Sequence, residues 1–194
     1  MSSFGATNPL GSGSVVPADL LRPLRQVRQY REFTEEAVDQ ATFDAILDVA
    51  RWSGSSRNTQ PWRFIVIRDV DTIRRIATAG LPQTRSLGTA TAAVAIILPA
   101  EPDRAVSLAY DDGRVAERML IAASMLGLGA GIAWVRPDVL KEIGSLLGLP
   151  SHRMVRTVMA LGHPTDAARA PKSVPGEARL PRDELVFQER YSEG

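Results

Sequence analysis

Ser53-Gly54-Ser55-Ser56-Arg57-Asn58-Thr59-Gln60-Pro61-Trp62 is the stretch on which the reading of this chain turns. Upstream of it, from Asp39 to Arg51, Phe43, Ile46, Leu47 and Ala50 recur at the i, i+3, i+4, i+7 spacing of one helix face. Downstream, Trp62 to Arg68 is short and β-branched at Ile65, Val66 and Ile67, the mark of a strand. A helix is therefore expected to pass into a strand through a loop carrying Ser55, Ser56, Asn58 and Gln60. Ser, Gly and Asn suit any turn. The concentration of short donors and acceptors also suits a planar ligand with a polar edge, because binding residues gather in loops held by rigid elements.

The same reading extends along the rest of the chain. Asp71 is expected to cap a helix with Ile73, Ile76 and Ala77 on its inner face. Gly80 to Thr89 reads as a loop containing Pro82. Ala92 to Leu98 is a buried strand stopped by Pro99. Tyr110 to Leu126 is a long helix with Ala116, Met119, Leu120 and Ala123 as its apolar stripe, and Met125 is placed with Met119 in the core. Gly127 to Gly131 ends that helix, and Ile132 to Val135 forms a short strand. Pro137 opens a further helix, where its missing N–H is harmless. Met154 to Leu161 is the last strand, followed by a Pro-rich, basic and then polar tail. The halves show no repeat. The pattern predicts an α+β fold, with a central, mostly antiparallel sheet flanked by helices.

Gly127-Leu128-Gly129-Ala130-Gly131 tempts a dinucleotide reading. The Rossmann fingerprint follows a strand and opens a helix. Here the order is reversed, so these glycines are read as a helix stop and a place of close backbone approach.

Composition narrows the function. A chain of 194 residues is expected to form one domain over 19–194, after a flexible lead at 1–18. No run of 18 apolar residues exists, so no membrane span is expected. No signal peptide is recognised. There is no cysteine, which removes thiolate chemistry and Cys-ligated metal and fits a cytoplasmic protein. With only His152 and His163, a histidine metal site is not expected either; His163 reads as a turn residue and His152 as solvated. No Gly-x-Ser-x-Gly elbow exists, which argues against a Ser-His-Asp hydrolase.

Charge adds a second clue. Arg22, Arg25, Arg28 and Arg31 recur every three residues and would share a face if helical. The chain as a whole has 23 basic and 22 acidic residues. A local surplus of guanidinium in a near-neutral chain suits one phosphate better than a polyanion. Nucleic-acid binding is accordingly disfavoured. Arg179 stands apart, in the tail.

With these blocks in place, the chain resembles the FMN-dependent nitroreductase family. The resemblance rests on the arginine-rich block, the Ser-rich loop running into Asn58-Thr59-Gln60-Pro61-Trp62-Arg63-Phe64, the Gly127-Leu128-Gly129 block with its following strand, and Arg179-Leu180-Pro181. It spans most of residues 20 to 182. The family start often reads Arg-Arg-Ser-x-Arg-x-Phe; one register aligns Leu24 to Tyr30 with it, and another, shifted by three, uses Arg28, Gln29, Arg31 and Phe33. Gly54 replaces a usual Pro, and Glu177 replaces a frequent Lys.

The resemblance implies an intertwined homodimer with residues 165–194 as an arm reaching the partner. It implies FMN held by Arg25, Gln26, Val27 and Arg28, by Gly54, Ser55, Ser56 and Asn58, by Ile132, Ala133 and Trp134, and by Arg179, with Arg31 in reserve. The Arg groups would meet phosphate, the Ser-rich loop would reach a flavin bound mainly by the other subunit, and a backbone N–H after the glycines would face N5. It implies NADH or NADPH as hydride donor, and an electron-poor acceptor such as a nitroaromatic or quinone, by ping-pong exchange. No catalytic side chain and no metal are implied. A flavin store without turnover, or a specialised flavin dehydrogenase, would share the scaffold. Of the tryptophans, Trp52 at a helix end and Trp62 at a strand start are expected to fill core, while Trp134 is open to either a core or a flavin-side place.

Overall fold

Strand β2 (Ala92–Pro99) is buried along its whole length as far as Leu98, so it needs cover on both faces. In the computed structural model, which describes residues 20–173 and 179–191, that cover is supplied by two helical layers. The sheet runs β1 (Arg63–Ile67), β2, β4 (Arg153–Gly162), β3 (Gly129–Trp134), and all its pairs are antiparallel. The pleat divides β2 between two cores. Val94, Ile96 and Leu98 meet α2 (Gln40–Arg51) and α4 (Ala105–Met125) through Phe43, Ile46, Leu108, Val115 and Met119. Ala93, Ala95 and Ile97 meet α3 (Val70–Ala79) and α5 (Leu140–Leu146) through Ile73, Ile76 and Ile143. Each such aliphatic side chain contributes about 1.5–3 kcal/mol of burial. The α+β architecture with a mostly antiparallel sheet is as the sequence predicts.

Local chemistry explains most boundaries and several differences. Asp39 accepts from Thr42 N–H at 2.9 Å and caps α2. The cap of α3 is Asp69, which accepts from Thr72 N–H at 3.0 Å, and not Asp71, which lies inside the first turn. Helix α4 begins at Ala105, five residues earlier than the apolar stripe suggested, because Pro102–Arg104 forms a 3₁₀ turn that leads straight into it. Met119 is in the core, but Met125 is 69% exposed at the helix end. Gly127 takes the left-handed φ of 79° that stops α4. Strand β3 then starts at Gly129 rather than Ile132, so two of the glycines lie inside it. Pro137 opens a 3₁₀ turn over Pro137–Val139, and α5 follows from Leu140. The arginine block is not one helix: α1 covers only Arg22–Gln26, leaving Arg28 and Arg31 in extended chain. Trp62 is buried as expected, whereas Trp52, expected to fill core, is 69% exposed at the C-cap of α2, with the Arg51 guanidinium 5.2 Å from its ring centroid. The last described helix is α6 (Asp166–Arg169). The expected flexible lead at 1–18 lies outside the described residues.

The extended chain after α1 is laid against the outer strand β3. Tyr30 N–H donates to Ala130 O at 2.8 Å, and Thr34 N–H to His163 O at 2.8 Å. A Cβ on Gly131 would collide with the Tyr30 carbonyl oxygen and with Ser86 Cβ, and one on Gly129 with Tyr30, Phe33 and Pro164. Gly131 gives room to the Tyr30 backbone, and Gly129 to three packed side chains. Between Ile96 and Ile97 the β2–β4 register shifts, with partners passing from Thr157 to Val155. Among the described residues no helix is long and apolar enough to cross a membrane.

Candidate functional site

Two polar regions stand at opposite edges of the sheet. One is the Ser-rich loop, which feeds the outer strand β1. The other borders the outer strand β3. Three strand spacings, about 14 Å, separate those strands.

At the β3 edge the pairing with β4 directs Gly131 and Ala133 inward. Ala130 accepts from Tyr30, so Ala130, Ile132 and Trp134 direct their backbone groups outward by alternation. Ile132 N–H is met there by Gln29 Oε1 at 3.1 Å. Beside it lies a cleft of about 300 Å³ lined by Arg31, Pro82, Gln83, Arg85, Ser86 and Ile132. Ser86 is buried, and its hydroxyl has no hydrogen-bond partner among the described residues. A buried hydroxyl without a partner costs on the order of 1–3 kcal/mol. Two guanidinium groups, an outward N–H and an unsatisfied hydroxyl thus surround one opening. Trp134 is 44% exposed at the strand's end.

The Ser-rich loop is strained and firmly held. Arg57, Asn58 and Gln60 take φ of 52°, 55° and 46°, the left-handed region that non-glycine residues avoid. Such strain persists only where surrounding contacts impose it, and it gathers at functional sites. Ser55 Oγ accepts from Gln60 N–H at 2.8 Å, closing the loop on itself. From α4, the Asp111 carboxylate accepts Ser56 N–H at 3.0 Å and 3.2 Å. Gly54 leaves room for the Arg114 guanidinium, which any Cβ there would strike. Ser56 and Asn58 remain exposed, and Gly54 and Ser55 are half-buried.

The arginines divide. Arg25 and Arg179 are exposed. Arg28 lies over the Tyr30 ring at 4.8 Å, and its guanidinium donates to the carbonyls of Ala168 at 3.1 Å, of Ala170 at 3.2 Å, and of Arg169. Gln26 is exposed and Val27 half-buried, both at the end of α1. Close by in sequence to Asp111, Asp112 points into the core, where Thr157 Oγ1 donates to it at 2.7 Å. Burial pushes its carboxyl up to about 6, against the lowering pull of Thr157 and Arg156. Among the described residues there is no cluster of His, Cys, Asp or Glu able to hold a metal ion.

The nitroreductase family model matches residues 24–163. The chain belongs to the nitroreductase family. It is an oxidoreductase. An Archaeoglobus fulgidus protein provisionally named NADH dehydrogenase/NAD(P)H nitroreductase is 28% identical over 156 residues, covering 76% of this chain and 87% of its own. The Thermus thermophilus NADH dehydrogenase is 27% identical over 167 residues, covering 81% of this chain and 78% of its own. The structure of an FMN-dependent nitroreductase from Clostridium difficile superposes with a TM-score of 0.74 at 22% identity, covering 87% of this nitroreductase-family chain and 98% of its own.

Sequence reasoning singled out Ile132, Ala133 and Trp134 but missed Gln29, Gln83, Arg85 and Ser86. Gly80 to Thr89 has the composition of any loop, and nothing in its periodicity says that it reaches β3. Asp111 carried a usable signal: a carboxylate on the inward side of an otherwise apolar helix stripe.

Proposed function

We propose that this nitroreductase-family chain binds FMN and uses NADH or NADPH to reduce an electron-poor acceptor, such as a nitroaromatic or quinone, by ping-pong exchange. The observation that carries the reading is the β3 edge: an outward Ile132 N–H above a cleft that holds Arg31, Arg85 and the unpartnered Ser86 hydroxyl. The donor set fits the group. FMN presents a flat heterocycle with acceptors along one edge, a polyol and a phosphate dianion. Backbone N–H, hydroxyl and guanidinium are the matching donors. FMN would supply reversible hydride chemistry between the nucleotide and the acceptor.

This chain's residues do the binding and orienting. Arg25, Arg28 and Arg179 are assigned to the phosphate, with Arg31 beside the cleft as a further candidate. Gln26 and Val27 would lie along the same stretch. Ile132 and Trp134 would face the heterocycle with their outward backbone groups, and Ala133, whose backbone turns to β4, would hold the strand between them in place. Gly54, Ser55, Ser56 and Asn58 would bind its pyrimidine side. Because that loop feeds the opposite edge of the sheet, the reading calls for a homodimer in which each loop serves the partner's cleft. Val106 and Tyr110, each 73% exposed on α4, offer apolar surface for a second copy. Residues 165–194 are proposed as an arm reaching that copy; Leu180, Leu185, Val186 and Phe187 are all exposed there. Solvent can supply the protons, so no side chain is assigned as catalytic. The chain is placed in the cytoplasm, consistent with its lack of cysteine.

The test is the absorbance spectrum of freshly purified protein, followed by anaerobic titration with NADH and with NADPH. A flavin spectrum bleached by either nucleotide and restored by a quinone supports the proposal. A colourless protein that takes up no added FMN ends it, and a flavin never bleached by either nucleotide favours storage.

A further inference from the structure

Four side chains, from the N-cap of α4 to two-thirds of the way along it, hold the Ser-rich loop. Arg104 Nη2 lies 3.4 Å from Thr59 Oγ1, Arg118 Nη1 donates to Trp52 O at 3.1 Å, Arg114 packs on Gly54, and Asp111 receives Ser56 N–H. Three of these are long, flexible cations at the surface. Asp111 differs. Its side chain is 2% exposed, and the nearest cation, Arg114 Nη1, is 4.0 Å away.

A buried carboxylate is costly unless it is well paired. Here one shared N–H and one distant guanidinium are the hydrogen bond and ion pair it has among the described residues. A smaller apolar residue such as alanine or valine could occupy the site without that cost. What an apolar residue could not do is pull Ser56 N–H inward. With that amide turned into the protein, the chain enters the left-handed pair Arg57–Asn58, and the Ser56 and Asn58 side chains stay at the surface.

We infer that Asp111 is a positioning residue of the flavin site: by gripping Ser56 N–H it sets the left-handed loop in the shape that presents Ser55, Ser56 and Asn58 to the flavin of the partner protomer. The inference rests on the FMN reading above. It deepens that reading by assigning a role to a residue that need not touch the flavin.

The two ends of the bond can be cut separately. Asp111→Ala removes the acceptor. Asp111→Asn keeps a side-chain oxygen able to accept. Ser56→Pro removes the donor at a place that tolerates proline, since Ser55 is extended (φ −136°, ψ 162°) and Ser56 is the first residue of a 3₁₀ turn. Ser56→Ala is its control, losing only the hydroxyl. The measurements are FMN affinity, from quenching of flavin fluorescence on titration into the apoprotein, and the thermal midpoint of each apoprotein.

The expected result is a rise in FMN Kd of about tenfold for Asp111→Ala, the size of one good hydrogen bond. Asp111→Asn should stay within about threefold of wild type, and Ser56→Pro should exceed Ser56→Ala by about tenfold. Equal affinities for Ser56→Pro and Ser56→Ala overturn the inference, whether or not Asp111→Ala folds. So does a lowered midpoint in both Asp111 variants with wild-type FMN affinity, which would mark a purely structural carboxylate. Wild-type apoprotein that binds no FMN overturns the flavin reading itself, a distinguishable failure.

Discussion

Gln29 places its side-chain oxygen 3.1 Å from the Ile132 N–H, across the open edge of β3. Edge strands carry unpaired donors that some group must satisfy. Here the group is an exposed side chain that can swing away, not another strand. The donor is therefore covered yet available to a ligand.

Replacing Gln29 with Ala should separate those roles. Gln29 is exposed, so the thermal midpoint is expected to move little, as for most surface changes. Freed of its competitor, Ile132 N–H should bind FMN more tightly, by about two- to tenfold for a net 0.5–1.5 kcal/mol hydrogen bond. Titration of FMN into both apoproteins checks it. Weaker binding would mean that Gln29 is itself a flavin contact.

Gly131→Ala tests the close approach of the Tyr30–Phe33 strap to β3. The added methyl meets the Tyr30 carbonyl and Ser86 Cβ, backbone on one side and a buried side chain on the other. Neither yields easily. Overpacking of this kind costs about 1–3 kcal/mol. For a chain of this size that lowers the midpoint by roughly 2–4 °C per kcal/mol. Amide exchange should accelerate at Tyr30, whose N–H bonds to Ala130 O.

The two sheet faces, the α4 stripe and the loop before β1 were all legible in the sequence, because each is written in local periodicity. Val94, Ile96 and Leu98 alternate with Ala93, Ala95 and Ile97, and that alone calls for cover on both sides. The helix starts were less legible. Asp69 and Asp71 are both plausible caps, and only the backbone bond from Thr72 decides between them. The arginine run shows the same limit from another side. Three-residue spacing fits a helix, yet the contact of Tyr30 with Ala130 draws the chain into an extended strap before Arg28 and Arg31 can share a face. The β3 cleft was half legible. Ile132 follows the glycines in order, but Gln83, Arg85 and Ser86 arrive from a loop fifty residues earlier, and no local pattern announces a long-range neighbour.

The arginines make a graded prediction. Arg25→Ala and Arg179→Ala should weaken FMN binding more than they lower the midpoint of the apoprotein. Arg28→Ala should lower both, because its guanidinium also closes on the carbonyls of Ala168, Arg169 and Ala170. Limited proteolysis beyond Ala170 should speed up in that variant. If Arg28→Ala changes stability but not FMN affinity, Arg28 is a clasp and the phosphate belongs to the other arginines.

Asp112 predicts a pH signature in stability. Its carboxyl is raised from 3.8 to about 6 by burial, and one oxygen has no hydrogen-bond partner among the described residues. A raised folded value means that the native state holds the proton where the unfolded chain has released it. Stability from this group is then fully present below about pH 4 and lost as pH rises through about 6. At 1.36 kcal/mol per pH unit, the loss approaches about 3 kcal/mol at neutral pH. Asp112→Asn cannot ionise and should lack this slope. Urea unfolding of both proteins at pH 4.5, 6 and 7.5 should show the variant gaining on wild type as pH rises. Parallel curves would mean that Asp112 is not buried as a neutral acid. The gain should appear without any change in FMN affinity, since Asp112 faces Thr157 and the core, while its neighbour Asp111 faces the loop.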